Sequence, residues 1–298
     1  MKKMLLIGIA IILLGFSNIF AQDEYAGSES CKGCHPNSFN DWKKSGHPYK
    51  IQKLDGTNGP IYPVLSSQKK IGNQINYTLK SGIPNPPEGL SWSDLGFVLG
   101  GYHSNARFLD KEGFLIWGAK RQYNLPTNKW VTYTQTEPGK TKYTYSCYKC
   151  HTTGASKSKT PAFEAYPGIE GSWAESGVGC EGCHGPSKSH ITNPTQKPNK
   201  NVDCSKCHAR DRDDESTKYA WTKRVEWQPR TVSDVPTGFI RHREQGDMML
   251  ASKHGQMGFT CATCHDSHKG VYFNLGGIKE TKSCESCHTN KTIKGHEQ

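Results

Sequence analysis

Apolar positions along the chain fall into three kinds of pattern. The first is an apolar run from Met4 to Leu14, preceded by Lys2 and Lys3 and followed by a small residue at Ala21. A basic start, a short apolar stretch and a small residue read as a secretory leader cut after Ala21, so residues 1–21 are expected to be a signal peptide. The run is too short to span a bilayer comfortably and no stop-transfer segment comes after it, so no transmembrane segment is expected. The second kind is β-type. Gln74-Ile-Asn-Tyr-Thr-Leu79, Phe114-Leu-Ile-Trp117 and Lys129-Trp-Val-Thr-Tyr-Thr134 alternate or cluster β-branched and aromatic residues between Gly, Pro and Asn turns. They predict short strands, hence a small β module near the N-terminal third, with residues 80–92 as a Pro-rich loop. The third kind is helical but brief: Phe39–His47 and Met248–His254 are short amphipathic stretches. Elsewhere Gly and Pro break each period after a few turns, which predicts short helices and irregular chain.

Such fragments need something to pack on. Only 34% of the residues are apolar, counting Tyr and Cys, which is low for a soluble domain and would give a thin core. The charge is strongly basic, formally +11, a value that raises the question of an anionic partner.

The cysteines answer both points. An exported chain with twelve Cys would ordinarily be a disulfide framework. Here every cysteine falls in a Cys-x-x-Cys-His pentapeptide: Cys31-Lys-Gly-Cys34-His35, Cys147-Tyr-Lys-Cys150-His151, Cys180-Glu-Gly-Cys183-His184, Cys204-Ser-Lys-Cys207-His208, Cys261-Ala-Thr-Cys264-His265 and Cys284-Glu-Ser-Cys287-His288. Two thiols three residues apart lie on one helical turn and can add across the two vinyl groups of haem, while the adjacent His reaches the iron from the same side. Zinc sites would not require His at one offset six times, and thioredoxin-like pairs need no His. The motifs therefore predict six covalently attached c-type haems, a chemistry that takes place outside the cytoplasm and agrees with the leader.

Six macrocycles supply the missing apolar core. Their propionates also bring negative charge, about −1 per oxidised haem and about −2 per reduced haem, which offsets most of the basic excess in the oxidised protein and exceeds it in the reduced one. The basic balance is then no nucleic-acid signal.

The second ligand of each iron separates an electron carrier from an enzyme. Seven His lie outside the motifs: His47, His103, His190, His242, His254, His268 and His296. That is close to the number needed for bis-histidine ligation throughout. His47 and His254 each follow an amphipathic stretch as Ser-x-His at a helix end, a weak internal repeat. His190 lies six residues beyond His184 and His268 three beyond His265, offsets too short to return to the opposite face of the same iron, so each should reach a neighbouring haem. His242 and His254 read as opposite ends of one helix broken near Gly246. His103, beside Gly100-Gly101, and His296, near the chain end, are alternatives for the sixth distal position; a structural role suits His103 equally.

The run Cys147-Tyr-Lys-Cys150-His151-Thr-Thr-Gly154, then Pro167-Gly-Ile, Gly171-Ser-Trp173 and Gly177-Val-Gly-Cys180-Glu-Gly-Cys183-His184-Gly-Pro186 with His190, resembles the cytochrome c-554 family of multihaem cytochromes. So do Tyr25-Ala-Gly-Ser28-Glu-Ser-Cys31-Lys-Gly-Cys34-His35, Trp42 and Ser45-Gly-His47, and the later Ser252-Lys-His254 and Cys261-Ala-Thr-Cys264-His265-Asp-Ser-His268. The resemblance implies distal-ligand roles for His47, His190, His254 and His268, and more loosely for His242. It departs from the four-haem namesake in carrying six motifs, so haem pairing does not transfer.

Residues 22–298 are thus expected to form one hexahaem cytochrome c domain, with 36–146 as a haem-free insert holding the short strands. The favoured function is electron transfer in the periplasm, at the cell surface or outside the cell, to redox partner proteins or other multihaem cytochromes. A homo-oligomer or electron-conducting filament is a variant of that reading. The alternative is an oxidoreductase acting on a nitrogen or sulfur oxyanion or hydroxylamine, which needs an iron with an exchangeable position. Related enzymes often mark that haem with Lys in place of the motif His, and all six motifs here keep His.

Overall fold

Between residues 51 and 142 the aromatic and branched side chains build one antiparallel sheet. The structure is a computed structural model that describes residues 24–63, 82–160, 165–209, 245–246, 249, 252–272, 275–279 and 284–289. The sheet contains β1 (Ile51–Lys53), β2 (Leu95–Gly100), β3 (Asn105–Asp110), β4 (Phe114–Asn124), β5 (Lys129–Tyr133) and β6 (Gly139–Lys142). Its order is β1-β2-β3-β4-β5, with β6 also paired to β4.

β4 reaches eleven residues because it serves two partners on one edge. Its first half, Phe114–Trp117, pairs with β6, and its second half pairs with β5 after an irregularity between Gly118 and Gln122. Lys120 takes a left-handed φ of 53° there, and such an extra-residue irregularity bends the strand so that it can change partners. The β4–β5 connection closes on Asn128 at φ 55°, a residue type that tolerates this conformation.

Both faces of the sheet are covered. Along β2, Phe97 and Leu99 point into one cluster with Ile51, Leu109, Tyr143, Tyr148 and Ile169. Val98 points into the other, with Tyr49, Tyr62, Tyr102, Ala106 and Phe108. The β2–β3 register shifts between Leu95 and Phe97, and this moves Leu95 onto the Val98 side. Val98, Phe108 and Leu109 are fully buried, each adding about 1.5–3 kcal/mol of hydrophobic stabilisation.

Two predicted strands are present here, the first extended to Asn124, but β1, β2, β3 and β6 were not apparent from alternation. Gln74–Leu79 lies outside the described residues. Residues 82–91 form a loop with one bridge, Ile61 to Gly82, ending in a 3-10 turn at Trp92–Asp94.

Away from the sheet the chain is short helices and turns: α1 (Pro36–Lys44), α2 (Tyr145–Tyr148), α3 (Cys180–His184), α4 (Lys188–Thr192) and α5 (Ser205–His208), then single turns at Lys253–Gln256, Cys261–Cys264 and Cys284–Cys287. A two-stranded ribbon, β7 (Thr152–Thr153) with β8 (Glu175–Ser176), joins the exit of the second motif to the approach of the third. Among the described residues no helix is long and apolar enough to cross a membrane.

Candidate haem-binding sites

Each motif folds as a single turn. In four of them the His backbone N–H donates to the carbonyl of the first cysteine: His35 to Cys31 (2.9 Å), His208 to Cys204 (2.9 Å), His265 to Cys261 (2.9 Å) and His288 to Cys284 (2.8 Å). The third motif is α3 itself. An i to i−4 bond stacks the first cysteine against the histidine on one helical face, which presents both groups to one planar ligand. The second motif winds more tightly, with His151 N–H donating to Tyr148 O at 2.9 Å.

The second cysteine of each motif completes the turn. Cys34, at the end of the first, is exposed, as are Cys147, Cys284 and Cys287. Cys207, in α5, donates its N–H to Cys204 O at 3.3 Å and is partly buried, like the other motif cysteines. A partly open thiol is what attachment needs, since the macrocycle has to reach the sulfur before it covers it.

The motifs are drawn together by the segment 175–181. The Glu181 carboxylate, only 3% exposed, accepts from the backbone N–H groups of Ala26 (3.0 Å), Gly27 (2.8 Å) and Ser187 (2.8 Å). Glu175 accepts from Ser28 N–H (3.2 Å) and Ser28 Oγ (2.8 Å). Ser28 Oγ in turn accepts from Cys180 N–H at 2.9 Å. Gly179 allows this close approach, since a Cβ there would lie 2.3 Å from both Glu175 Oε2 and Ser28 Oγ. The first motif is thereby fastened to the third. Burial pushes the Glu175 carboxyl above its ordinary range.

The same segment holds His47. Val178 N–H donates to His47 O (3.0 Å), and Trp42 Nε1–H from α1 donates to Val178 O (2.9 Å). The end of α1 is closed by two phenols: Tyr49 donates to Lys43 O (2.8 Å) and Tyr102 donates to Lys44 O. They satisfy carbonyls that a helix terminus would otherwise leave open. Desolvation lowers His47 to about 4, so at neutral pH its imidazole carries a free lone pair, the form that binds a metal.

The Ser-x-His repeat has a structural counterpart. Ser45 Oγ donates to Trp42 O and Ser252 Oγ donates to Met249 O, both at 2.7 Å. Beyond the serine the two sites differ: Ser45 ends α1, whereas Ser252 also caps a new turn, Lys253–Gln256, that contains His254. His254 is therefore inside a turn rather than at the end of its amphipathic stretch. Gln245 and Gly246 are helical, while the residues on either side, where the break is expected, lie outside the described residues; a Cβ at Gly246 would come within 2.7 Å of Ser205 Cβ, and the glycine permits close packing on the fourth motif.

Four of the candidate histidines from outside the motifs fall opposite motif histidines. His190 faces His35 with ring centroids 6.2 Å apart. His47 faces His208 at 6.3 Å, His268 faces His184 at 6.2 Å, and His254 faces His288 at 5.8 Å. With a metal–imidazole bond of about 2.0–2.1 Å and a ring radius of about 1.1 Å, two imidazoles on opposite sides of one metal have centroids about 6.3 Å apart. Three of the pairs lie near that separation, and His254/His288 is closer.

Another contact sets two motifs side by side. Cys150 Sγ of the second motif lies 3.9 Å from Lys206 O of the fourth. Ring orientation is fixed behind several histidines: His184 Nδ1 bonds to Asn199 O (2.7 Å), His190 Nδ1 to Gln196 O (2.8 Å), His265 Nδ1 to Gly277 O (3.3 Å) and His151 Nδ1 to the Tyr143 hydroxyl (2.7 Å).

His103 is brought against Tyr272, with centroids 3.8 Å apart, at the edge of the Tyr49/Tyr102 cluster. Desolvation lowers it to about 3. His242 and His296 lie outside the described residues. Sequence reasoning gives no role to Glu175, Glu181 or Tyr143, and names Ser28 only within the run that resembles the family; the position of Glu181 inside a motif is the one signal for it.

Residues 30–74 and 119–185 match the family described as cytochrome c554 and c-prime. Over these residues, which hold the first three motifs, the chain is similar to this family. Its fold is similar to the octahaem sulfite reductase MccA of Wolinella succinogenes, with a TM-score of 0.50 at 17% identity over 90% of this chain and 51% of that one. The undecahaem cytochrome from the S-layer of Carboxydothermus ferrireducens matches with a TM-score of 0.49 at 18% identity, over 91% of this chain and 44% of that one. The outer cell wall cytochrome OcwA matches with a TM-score of 0.41 at 22% identity, over 62% and 37%. The chain thus spans about half or less of the length of these solved structures. No curated protein matches it.

Proposed function

We propose that this chain is an exported electron-transfer protein holding six haems, most or all with histidine on both faces. The observation that carries the reading is the set of four facing pairs, His35/His190, His208/His47, His184/His268 and His288/His254, the first three near the separation that two imidazoles on one iron would have and the last somewhat closer. Haem supplies one-electron chemistry at low potential when both ligands are imidazole.

The chain's own residues do the rest. Both cysteines of each motif hold the macrocycle, Cys34 and Cys207 giving the second thioether of the first and fourth centres, and histidines borrowed from other motifs' surroundings close the axial positions. His190 beside the third motif would serve the first, His268 beside the fifth would serve the third, and His254 before the fifth would serve the sixth. Each borrowed ligand ties two centres into one unit, which favours short hops. His242 and His296 are assigned to the centres of His151 and His265, because the Tyr272 stack gives His103 a structural role. The amino-terminal sequence and the haem-attachment chemistry support a location outside the cytoplasm, where the partners would be other redox proteins.

Addition of sulfite, nitrite, hydroxylamine or cyanide to the oxidised holoprotein tests the reading. The Soret band should not move. A stoichiometric shift to a ligand-bound ferric spectrum, without the ferrous bands that reduction by sulfite or hydroxylamine would give, would identify an exchangeable iron and turn the reading to an oxidoreductase.

A further inference from the structure

The second motif stands apart in two respects. It is the motif whose His N–H bonds to the i−3 carbonyl, and its imidazole Nδ1 meets a side-chain hydroxyl, Tyr143 Oη, at 2.7 Å. His184 and His265 instead meet backbone carbonyls, Asn199 O and Gly277 O.

Tyr143 is not free to adjust. It follows β6, its N–H donates to Gly168 O (2.8 Å), and its carbonyl accepts from Glu170 N–H (3.2 Å). Its ring is 2% exposed in the cluster with Phe97, Tyr148 and Ile169. The sheet therefore fixes the hydroxyl against His151.

We propose that Tyr143 is a positioning and tuning residue for the centre ligated by His151: its phenol oxygen takes the Nδ1–H in place of a peptide carbonyl and, as the weaker acceptor, holds the reduction potential above the value a carbonyl would set but below that of an unbonded imidazole. The inference rests on His151 being an axial ligand through Nε2, which puts the proton on Nδ1, so that Nδ1–H donates to Tyr143 Oη. A phenol oxygen shares its lone pair with the ring and is a weaker acceptor than an amide carbonyl. The imidazole then keeps its proton more fully, donates less charge to ferric iron, and stabilises the oxidised state less. Among otherwise similar bis-histidine centres, this one would accept an electron first.

The test is potentiometry of the holoprotein with each centre followed spectroscopically, for the parent chain, Tyr143→Phe, and a chain with fluorotyrosine at 143, which weakens the acceptor without changing the packing. His151→Ala identifies the centre concerned. One potential should rise, by less for fluorotyrosine than for Phe, and it should be the one that His151→Ala perturbs, while the rest stay fixed. An unmoved or lowered potential, or a shift in a different centre, overturns the tuning role. If Tyr143→Phe does not assemble, the fluorotyrosine chain alone decides. If His151→Ala itself leaves every centre unchanged, the ligand reading of His151 is what fails.

Discussion

His268 faces His184 across 6.2 Å with their rings 19° from parallel, although His268 sits in the sequence beside His265. The three-residue step Asp266-Ser267-His268 separates it from its own motif, whose His265 Nδ1 bonds to Gly277 O. A histidine next to one attachment site is thus presented to another.

His268→Met should therefore keep every covalent haem and raise the potential of one, because a thioether favours ferrous iron more than imidazole does. The altered haem should be the one attached at Cys180 and Cys183. Redox titration with assignment by paramagnetic NMR checks it; a change at the haem of Cys261 and Cys264 would refute the cross-motif ligation.

Glu181→Ala removes one carboxylate from three backbone N–H groups that tie residues 26–27 and 187 to the third motif. Hydrogen bonds to a charged acceptor contribute about 1.5–3 kcal/mol each, so the loss should reach at least about 3 kcal/mol. Thermal unfolding of the holoprotein measures it. A change within about 0.5 kcal/mol, typical of a neutral surface substitution, would contradict the structural role.

Glu175 gives a pH dependence of defined sign. Its carboxyl is raised by burial, with Glu181 adding to the shift and the Ser28 bonds and Lys43 opposing it. A carboxyl raised on folding contributes stability that is fully present below its ordinary value of 4.5 and is lost as pH rises through the folded value. Glu175→Gln removes this contribution. The melting temperature of the parent minus that of Glu175→Gln should grow as pH falls from neutrality; a constant or shrinking difference would be inconsistent with the raised value.

Legibility in the sequence tracked the range of the chemistry involved. Attachment requires Cys, Cys and His within five residues, so all six motifs, Cys34 and Cys207 included, were visible as strings. The partners of those motifs come from distant positions, and only the fold brings His190 to His35 or His47 to His208. The strands at Lys129 and Phe114 were visible because aromatic and β-branched residues cluster there. β2 and β3 were not, because the sheet is buried on both faces and Leu95-Gly-Phe-Val-Leu99 shows no alternation. Glu181 occupies a variable place in its motif and acts on backbone donors as far away as Ala26, at a sequence separation of 155, a role that no local pattern announces.

Deleting residues 295–298 should open one centre if His296 completes it. The truncated protein would then show one high-spin haem that binds cyanide, with the others unchanged. If it stays low-spin and His103→Ala opens a site instead, the assignment passes to His103.

The central claim is that the irons are closed on both faces by histidine. Low-temperature electron paramagnetic resonance of the oxidised holoprotein, with integrated spin, tests this most directly. The account predicts low-spin ferric signals equal in number to the six motifs and no high-spin component. A high-spin signal integrating to one iron per chain would contradict closure and reveal a centre able to bind substrate.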